Sequence, residues 1–504
     1  MPLTASLRRT RSGIDRATAP RPVACDEALL RRTLAVLILG ALISSVDATV
    51  TNIALHSIGR DFHSPVAATQ WVISAYILTL AAVIPVSGWV AQRFGARTVY
   101  ATSLAVFAIS SALCATATSL PELVVYRALQ GIAGGLLLPI AQLIAAQVGG
   151  PARMGRTSSR IWMASSFGAI LGPSLGGLLI QALSWRWIFV INVPIGGLAA
   201  LAALRMLPET PGSGAGRLDC TGLLRLSVAL PTLLFALEQS ALSGGLTSAR
   251  TLIPLICGLA LLLDFVRHSG SVQHPLLDLG LLRRRLFATG ALCLVVTNVA
   301  WSALLVLEPL FLQQVRHMHP ALAGALIAPQ GAGTVLSMWV AGRIDADTRA
   351  AQIACGGFLV LACITLLIGV LGPEVPGWTI GLLMFAAGIA GGNAWVSATG
   401  ASYADVSAED IPHASPLLTS MSRVGQAVGV TFGTLVLQIK LDAVSTIGVG
   451  ERIASAFQSS FDDVAGVALL CGVTFFALAR CVTTRAAPPG DASKAPDRVL
   501  RVDV

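Results

Sequence analysis

Charge is what this chain has least of. Among its 504 residues only 12% are Asp, Glu, Lys or Arg, against about 25% in ordinary soluble domains. Just two residues are lysines, Lys440 and Lys494. Without a charged shell, and with a mean hydropathy of +0.76, the chain is excluded from the soluble globular class. The nine cysteines run from Cys25 to Cys481 with no CxxC pair and no metal-ligand spacing. They read as small core residues, so neither a zinc site nor a disulfide framework is expected. There is no HExxH, no GxSxG and no Walker lysine, which excludes the corresponding hydrolases and ATP-driven transport within the chain. The seven histidines do not cluster within any one apolar segment. No catalytic residues are expected, and the chain does not read as an enzyme.

What is present is apolar. Hydrophobic residues make up 55% of the sequence, in runs of roughly 18 to 25 residues that recur from Thr33 to Arg480, each long enough to cross a hydrocarbon core of about 30 Å as a helix. Breaks at Gly, Pro and charged residues give fourteen spans, beginning near 33, 71, 99, 122, 159, 187, 219, 250, 287, 320, 350, 377, 414 and 462. Arginine orients them. With the first 32 residues, which hold seven arginines, placed in the cytoplasm, the inner loops carry thirteen arginines, from Arg93 to Arg349. The outer loops hold six basic residues, so both termini are expected inside. One inner loop departs from this bias, because 402–413 is acidic and lacks Lys and Arg. The basic residues therefore serve topology, and nucleic acid is not an expected partner.

The Pro/Gly-rich stretch 208–219 reads as a cytoplasmic linker after the sixth span. The expected organisation is a basic tail (1–32), a six-helix half (33–207), a linker with two inserted helices (208–286), a second six-helix half (287–481) and a second tail (482–504). The class is all-α and polytopic, with the helices arranged six plus two plus six.

Several strings carry more than hydropathy. The loop after the second span contains Gly88, Gln92, Arg93, Gly95 and Arg97, glycines that permit a tight turn and arginines placed to meet helix C-termini. The fourth span holds Arg127, Gln130 and Gly131 on an otherwise apolar helix. An arginine at mid-membrane costs about 2.5 to 3.5 kcal/mol and so faces either a cavity or a partner. In the fifth span Gly168, Gly172 and Gly176 form a smooth ridge, with Pro173 and Gly177 beside it. Asp47 lies deep in the first span among Leu42, Ile43, Val46 and Val50, where an ionised carboxylate is poorly solvated. It reads either as a proton-coupling group or as the permanent partner of Arg127. Thr51 lies one turn further along, and Asn52 is placed to bond a neighbouring helix. Glu308, beside Pro309 in the ninth span, is a second embedded acid: a coupling site, a recogniser of cationic substrates, or a group solvated at the outer end of its helix. Asn393 and Arg423 read as polar cavity or helix-contact residues.

These strings resemble the signature motifs of the major facilitator superfamily: the Gly88–Arg97 loop, the R-x-x-Q-G string from Arg127 to Gly131, and the Gly168–Gly177 string. The last, with SWRWIFVINVPIG (184–196) and VDATVTNIAL (46–55), is similar to the fourteen-helix drug/proton antiporter branch. Gln92 stands where the family usually has an acid. The resemblance implies a multidrug-type exporter in the inner membrane. Its cargo would be a small amphipathic compound, apolar or weakly cationic in a cavity with few acids, moved by alternating access. The resemblance further implies no cofactor, a proton gradient as the driving force and Arg127 in proton coupling; the embedded acids Asp47 and Glu308 are expected to join it, with Thr51, Asn52, Gln130, Asn393 and Arg423 at the substrate cavity. The protons, the lipid bilayer and, as an optional partner, a periplasmic adaptor protein complete the set. A proton-coupled importer is the other transport reading of the same fold, and a non-transporting membrane sensor is a third.

Overall fold

The computed structural model describes residues 27–483 apart from 151–152, 210–216, 243–247, 273–274, 342–348, 371–374, 405, 408–409 and 444–448. The two expected tails lie almost wholly outside the described residues, as do Arg343, most of the 208–219 linker and the Arg349 side chain. Fourteen long helical segments follow one another: α1 Glu27–Asp61, α2 Trp71–Phe94, α3 Ala96–Thr116, α4 Leu120–Gly149, α5 Met154–Ala182, α6 Trp187–Met206 and α7 Cys220–Leu242. The series continues with α8 Ala249–Ser269, α9 Arg285–Gln314, α10 Pro320–Ala341, α11 Arg349–Val370, α12 Gly377–Tyr403, α13 Ile411–Ala443 and α14 Val449–Thr483. Ten of them contain an unbroken apolar stretch long enough to cross a membrane by length and composition. No strand occurs among the described residues.

Thirteen helices start within about six residues of the position that hydropathy indicates. The exception is α14, which begins at 449 rather than 462. Its first half alternates Gln458, Ser459, Asp462 and Asp463 with Ala456, Phe457, Phe461 and Val464, and only the second set is buried. That is a helical period of burial rather than an apolar run. Phe457 and Phe461 meet Phe311 of α9 edge-on at 5.9 and 5.5 Å.

Local chemistry places the helix ends. Ser119 caps α4 by accepting the amide of Glu122, whose carboxylate accepts from the Thr118 amide at 2.9 Å and hydroxyl at 2.8 Å. At α2, Pro85 sits in a 3₁₀ turn, Ile84–Val86, that bends the helix. The α2–α3 corner is a single residue, Gly95, with φ +85°, a conformation that side chains rarely adopt.

The first half is built around α1 and α5. Gly168, Gly172 and Gly176 lie directly on Leu42, Ser45, Val46, Thr49 and Val50 of α1, and Ser45 donates to the Ser165 carbonyl at 2.5 Å. The second half pairs α10 with α12, α9 with α13 and α11 with α14. α7 and α8 pack together along the side of the bundle. α7 packs against both α2 and α13, with Ser227 donating to the Ala82 carbonyl at 2.7 Å and Thr431 to the Leu237 carbonyl at 3.1 Å. α8 covers α7 and turns Ile253, Ile256, Leu259, Leu263 and Val266 outward, as a lipid-facing helix does.

The halves touch at the end that arginine bias assigns to the cytoplasm. Gly88 lies against the Pro412 carbonyl, Gln92 meets His413 at 3.4 Å, Ser415 donates to the Pro139 carbonyl at 2.9 Å, and Trp162 of α5 packs on Trp395 of α12 at 4.5 Å. The acidic 402–413 loop now has a reason. Asp410 accepts from Arg284 at 2.8 Å, so its charge answers the basic loop before α9 on the same side. Burial works against that charge, and the hydrogen bond from Ser407 and the Arg284 guanidinium together hold the carboxyl below its usual range.

Two stability predictions follow from this packing. A Cβ at Gly172 would run into the Thr49 side chain, which is already bonded to the carbonyls of Ser45 and Val46, whereas Gly177 has nothing within 4 Å. Gly172→Val is expected to cost about 1 to 3 kcal/mol and Gly177→Ala close to nothing, read as midpoints of thermal unfolding in detergent. At the start of α7, Asp219 accepts from the Gly222 amide at 2.8 Å and from His268 at 2.8 Å. Burial opposes the charge of Asp219, but these bonds and that of Thr221 hold its carboxyl below the usual range. A lowered carboxyl stabilises the fold above the ordinary carboxylate range and loses that contribution as pH falls through it. Asp219→Ala should therefore cost about 1 kcal/mol at neutral pH, and the difference from the parent should shrink on acidification.

Candidate functional site

The elements of the first half converge on one buried carboxylate. Arg127 of α4 donates through Nη1 to Asp47 Oδ2 at 2.6 Å, and both side chains are 1% exposed. Gln130, one turn along α4, donates to Asp47 Oδ1 at 3.0 Å, and Asn192 at the start of the long part of α6 donates to the same oxygen at 2.8 Å. The carboxylate thus accepts from three donors on two helices. Arg127 is held as well: its Nε donates to the Val72 carbonyl at 3.1 Å, Nη1 also reaches Gln130 Oε1 at 2.7 Å, and the guanidinium lies 4.3 Å from the Tyr76 ring centre and 5.7 Å from that of Phe189. Ser111 of α3 accepts from Gln130 at 3.3 Å and Asn192 at 3.2 Å, and its hydroxyl donates to the Phe189 carbonyl at 3.1 Å.

Such a network follows from the cost of burial. Two charges without water are tolerated only when each has its hydrogen bonds filled. Gly131 allows the close approach, since a Cβ there would strike Thr79 and the Tyr76 carbonyl of α2.

Of the residues singled out from sequence, Asp47, Arg127 and Gln130 come together. Thr51 is buried beside them but spends its hydroxyl on the Asp47 carbonyl at 2.8 Å. Asn52 does not join them: it is exposed, about 140° round α1 from Asp47. Arg93 is exposed, and Arg97 pairs with Glu209 at 3.0 Å and donates to the Leu204 carbonyl. Pro173 lies within α5, but its side chain is outside the described residues. Asn393 accepts from Ser337 at 2.8 Å, joining α12 to α10. Asn192, Ser111, Tyr76 and Phe189 went unrecognised. Asn192 carried a signal, an amide inside the apolar 184–196 string; Ser111 carried none.

In the second half the acid stands differently. Glu308 of α9 is 0% exposed, so it is not solvated at a helix end. Its Oε1 accepts from Gln330 of α10 at 2.9 Å, while Oε2 has no hydrogen-bond partner. No basic side chain pairs with it among the described residues. Arg423 of α13 is half-buried, with Nη1 on Gln426 Oε1 at 3.1 Å. Among the described residues no group of three or more His, Cys, Asp or Glu is placed to hold a metal ion.

This fold, with its R-x-x-Q-G arginine bound to an acid of the first helix, defines a membrane transporter rather than an enzyme, and a family model described as Major Facilitator Superfamily matches residues 37–430. The chain belongs to that superfamily and is a multi-pass inner-membrane protein. It is similar to the multidrug resistance protein B homolog of Mycobacterium tuberculosis H37Rv, 34% identical over 430 residues that cover 84% of this chain and 79% of that protein. The putative multidrug resistance protein MdtD of Klebsiella pneumoniae strain 342 is 29% identical over 428 residues, 83% of this chain and 90% of that one. Among solved structures, that of the human organic anion transporter MFSD10 shares the fold, with a TM-score of 0.61 at 20% identity over 88% of this chain and 99% of that chain.

Removing one member of the buried pair leaves the other charge stranded. Asp47→Leu and Arg127→Met are each expected to destabilise by about 3 to 5 kcal/mol, and the double variant by clearly less than the sum of the two. A double-mutant cycle on detergent unfolding midpoints reads this, and additive losses would mean that the pair is not coupled.

Proposed function

We propose that the protein is a proton-driven multidrug exporter, an antiporter of small amphipathic compounds that works by alternating access between its two halves. The relatives' names support the cargo class, and the packed inner ends of the halves support a rocking motion with the cytoplasmic side closed in this conformation. The observation that carries the coupling is Glu308. An ionised carboxylate with one hydrogen bond and no cation is costly in a dry interior, while a protonated carboxyl fits the same place with Gln330 on one oxygen. Glu308 therefore holds a proton in this conformation and releases it when the halves rock and water reaches α9. Asp47 and Arg127 form the second coupling element: their pair stays closed here, and its three donors make it sensitive to any shift of α4 or α6 against α1.

The gradient suffices without a cofactor. One proton carries about 2.3 kcal/mol per 100 mV and about 1.4 kcal/mol per pH unit, roughly 3.7 kcal/mol together, enough for a several-hundred-fold gradient of a neutral solute.

Inside-out vesicles with an imposed pH gradient test the reading. A panel of amphipathic compounds should include some that dissipate the gradient. Glu308→Gln should abolish that flux while leaving the protein folded, and Asp47→Asn should reduce it at least tenfold. A flux that survives in Glu308→Gln removes Glu308 from coupling, and a panel that moves no protons removes the antiport reading.

A further inference from the structure

The two halves treat their arginines oppositely. Arg127 is neutralised by Asp47 and sealed. Arg423 stands twelve residues into α13, surrounded by protein yet not closed off, and among the described residues no carboxylate pairs with it. An uncompensated guanidinium in the middle of a membrane helix costs several kcal/mol. Such a group persists where it faces a cavity that a counter-charge can enter.

Its surroundings are built. Gln426 accepts from Arg423 Nη1 at 3.1 Å and donates to Asn298 Oδ1 of α9 at 3.1 Å; Asn298 in turn donates to the Leu294 carbonyl at 2.7 Å. The string ends on backbone, which fixes the amide of Gln426 with its oxygen toward the guanidinium. Among the described residues, the titratable side chain that interacts with Arg423 across the halves is Tyr76, whose hydroxyl lies 3.3 Å from that of Ser44. Neither is a carboxylate. A planar guanidinium with donors to spare on a largely apolar membrane helix has the chemistry of a receptor for a carboxylate or sulfonate on an apolar body.

We propose that Arg423, oriented by Gln426 and Asn298, binds the charged end of the cargo, and that the cargo class is the amphipathic organic anion rather than the lipophilic cation. The proposal rests on the transport reading above for the word cargo, and on the geometry alone for the sign of the charge. It differs from the apolar or weakly cationic compound that a cavity with few acids implies.

2-Naphthalenesulfonate and 2-naphthyltrimethylammonium share one aromatic body and carry charged ends of opposite sign. Their binding to the purified full chain in nanodiscs is measured by calorimetry, with empty nanodiscs subtracting the lipid's own preference. The parent protein should bind the sulfonate at least tenfold more tightly than the ammonium. Arg423→Gln should bring that ratio near one, Arg423→Lys should keep most of it, and Gln426→Glu, which supplies an internal carboxylate at an almost unchanged position, should abolish it even if Arg423→Gln does not fold. A parent protein that binds the ammonium as tightly as the sulfonate, or a Gln426→Glu variant that keeps the sulfonate preference, overturns the proposal. Loss of proton flux with an intact sulfonate preference would instead count against the antiport reading and leave this site standing.

Discussion

Everything in the first half answers to the pair between Asp47 and Arg127. Two full charges out of reach of water must be given hydrogen bonds from fixed directions, and the fold supplies them from four helices: the pair itself joins α1 to α4, Asn192 brings in α6, and the Val72 carbonyl and Tyr76 ring bring in α2. Ser111 ties α3 to the same cluster. The glycine ridge of α5 has its place in this scheme, since it lets α5 lie flat on the turns of α1 that hold Asp47 in position. A polar network in a lipid-embedded helix bundle specifies which helices meet, because lipid tails offer no hydrophobic force to do so.

The second half lacks such compensation. Glu308 has one oxygen without a partner, and Arg423 has an amide where an acid would neutralise it. They stand on different helices, α9 and α13, and do not pair with each other. A saturated network in one half, against an acid with one unpartnered oxygen and a base with no acid beside it in the other, is an asymmetry with a physical meaning. The saturated half resists change, and the unsatisfied groups are where a proton and a charged ligand gain most by arriving. This division of labour links the packing to the proposed transport cycle.

Much of the fold was legible because lipid imposes a single rule, that backbone groups be satisfied within the segment. Helix starts at 71, 187, 320 and 377 were read directly from hydropathy. Where that rule has a second solution, as in the amphipathic first half of α14, an apolar window misplaced the start by thirteen residues, from 449 to 462. Site residues were legible in proportion to the cost of burying them. Asp47 and Arg127 stood out because a charge in an apolar run needs an explanation, whereas Ser111, small and common in membrane helices, gave none. Asn52 is adjacent in sequence to Thr51 but faces away from Asp47. Gln92, where the family usually has an acid, was flagged from sequence, and its contact with His413 across the halves needed the three-dimensional arrangement.

The central claim is that Asp47 is paired with Arg127 while Glu308, which has no basic partner among the described residues, carries a proton. Infrared difference spectroscopy of the carboxylic acid C=O stretch in the reconstituted protein at neutral pH measures this directly. The account predicts a band of a protonated carboxyl that disappears in Glu308→Gln and persists in a folded Asp47→Asn variant. A band that is lost with Asp47 and kept without Glu308 would contradict it.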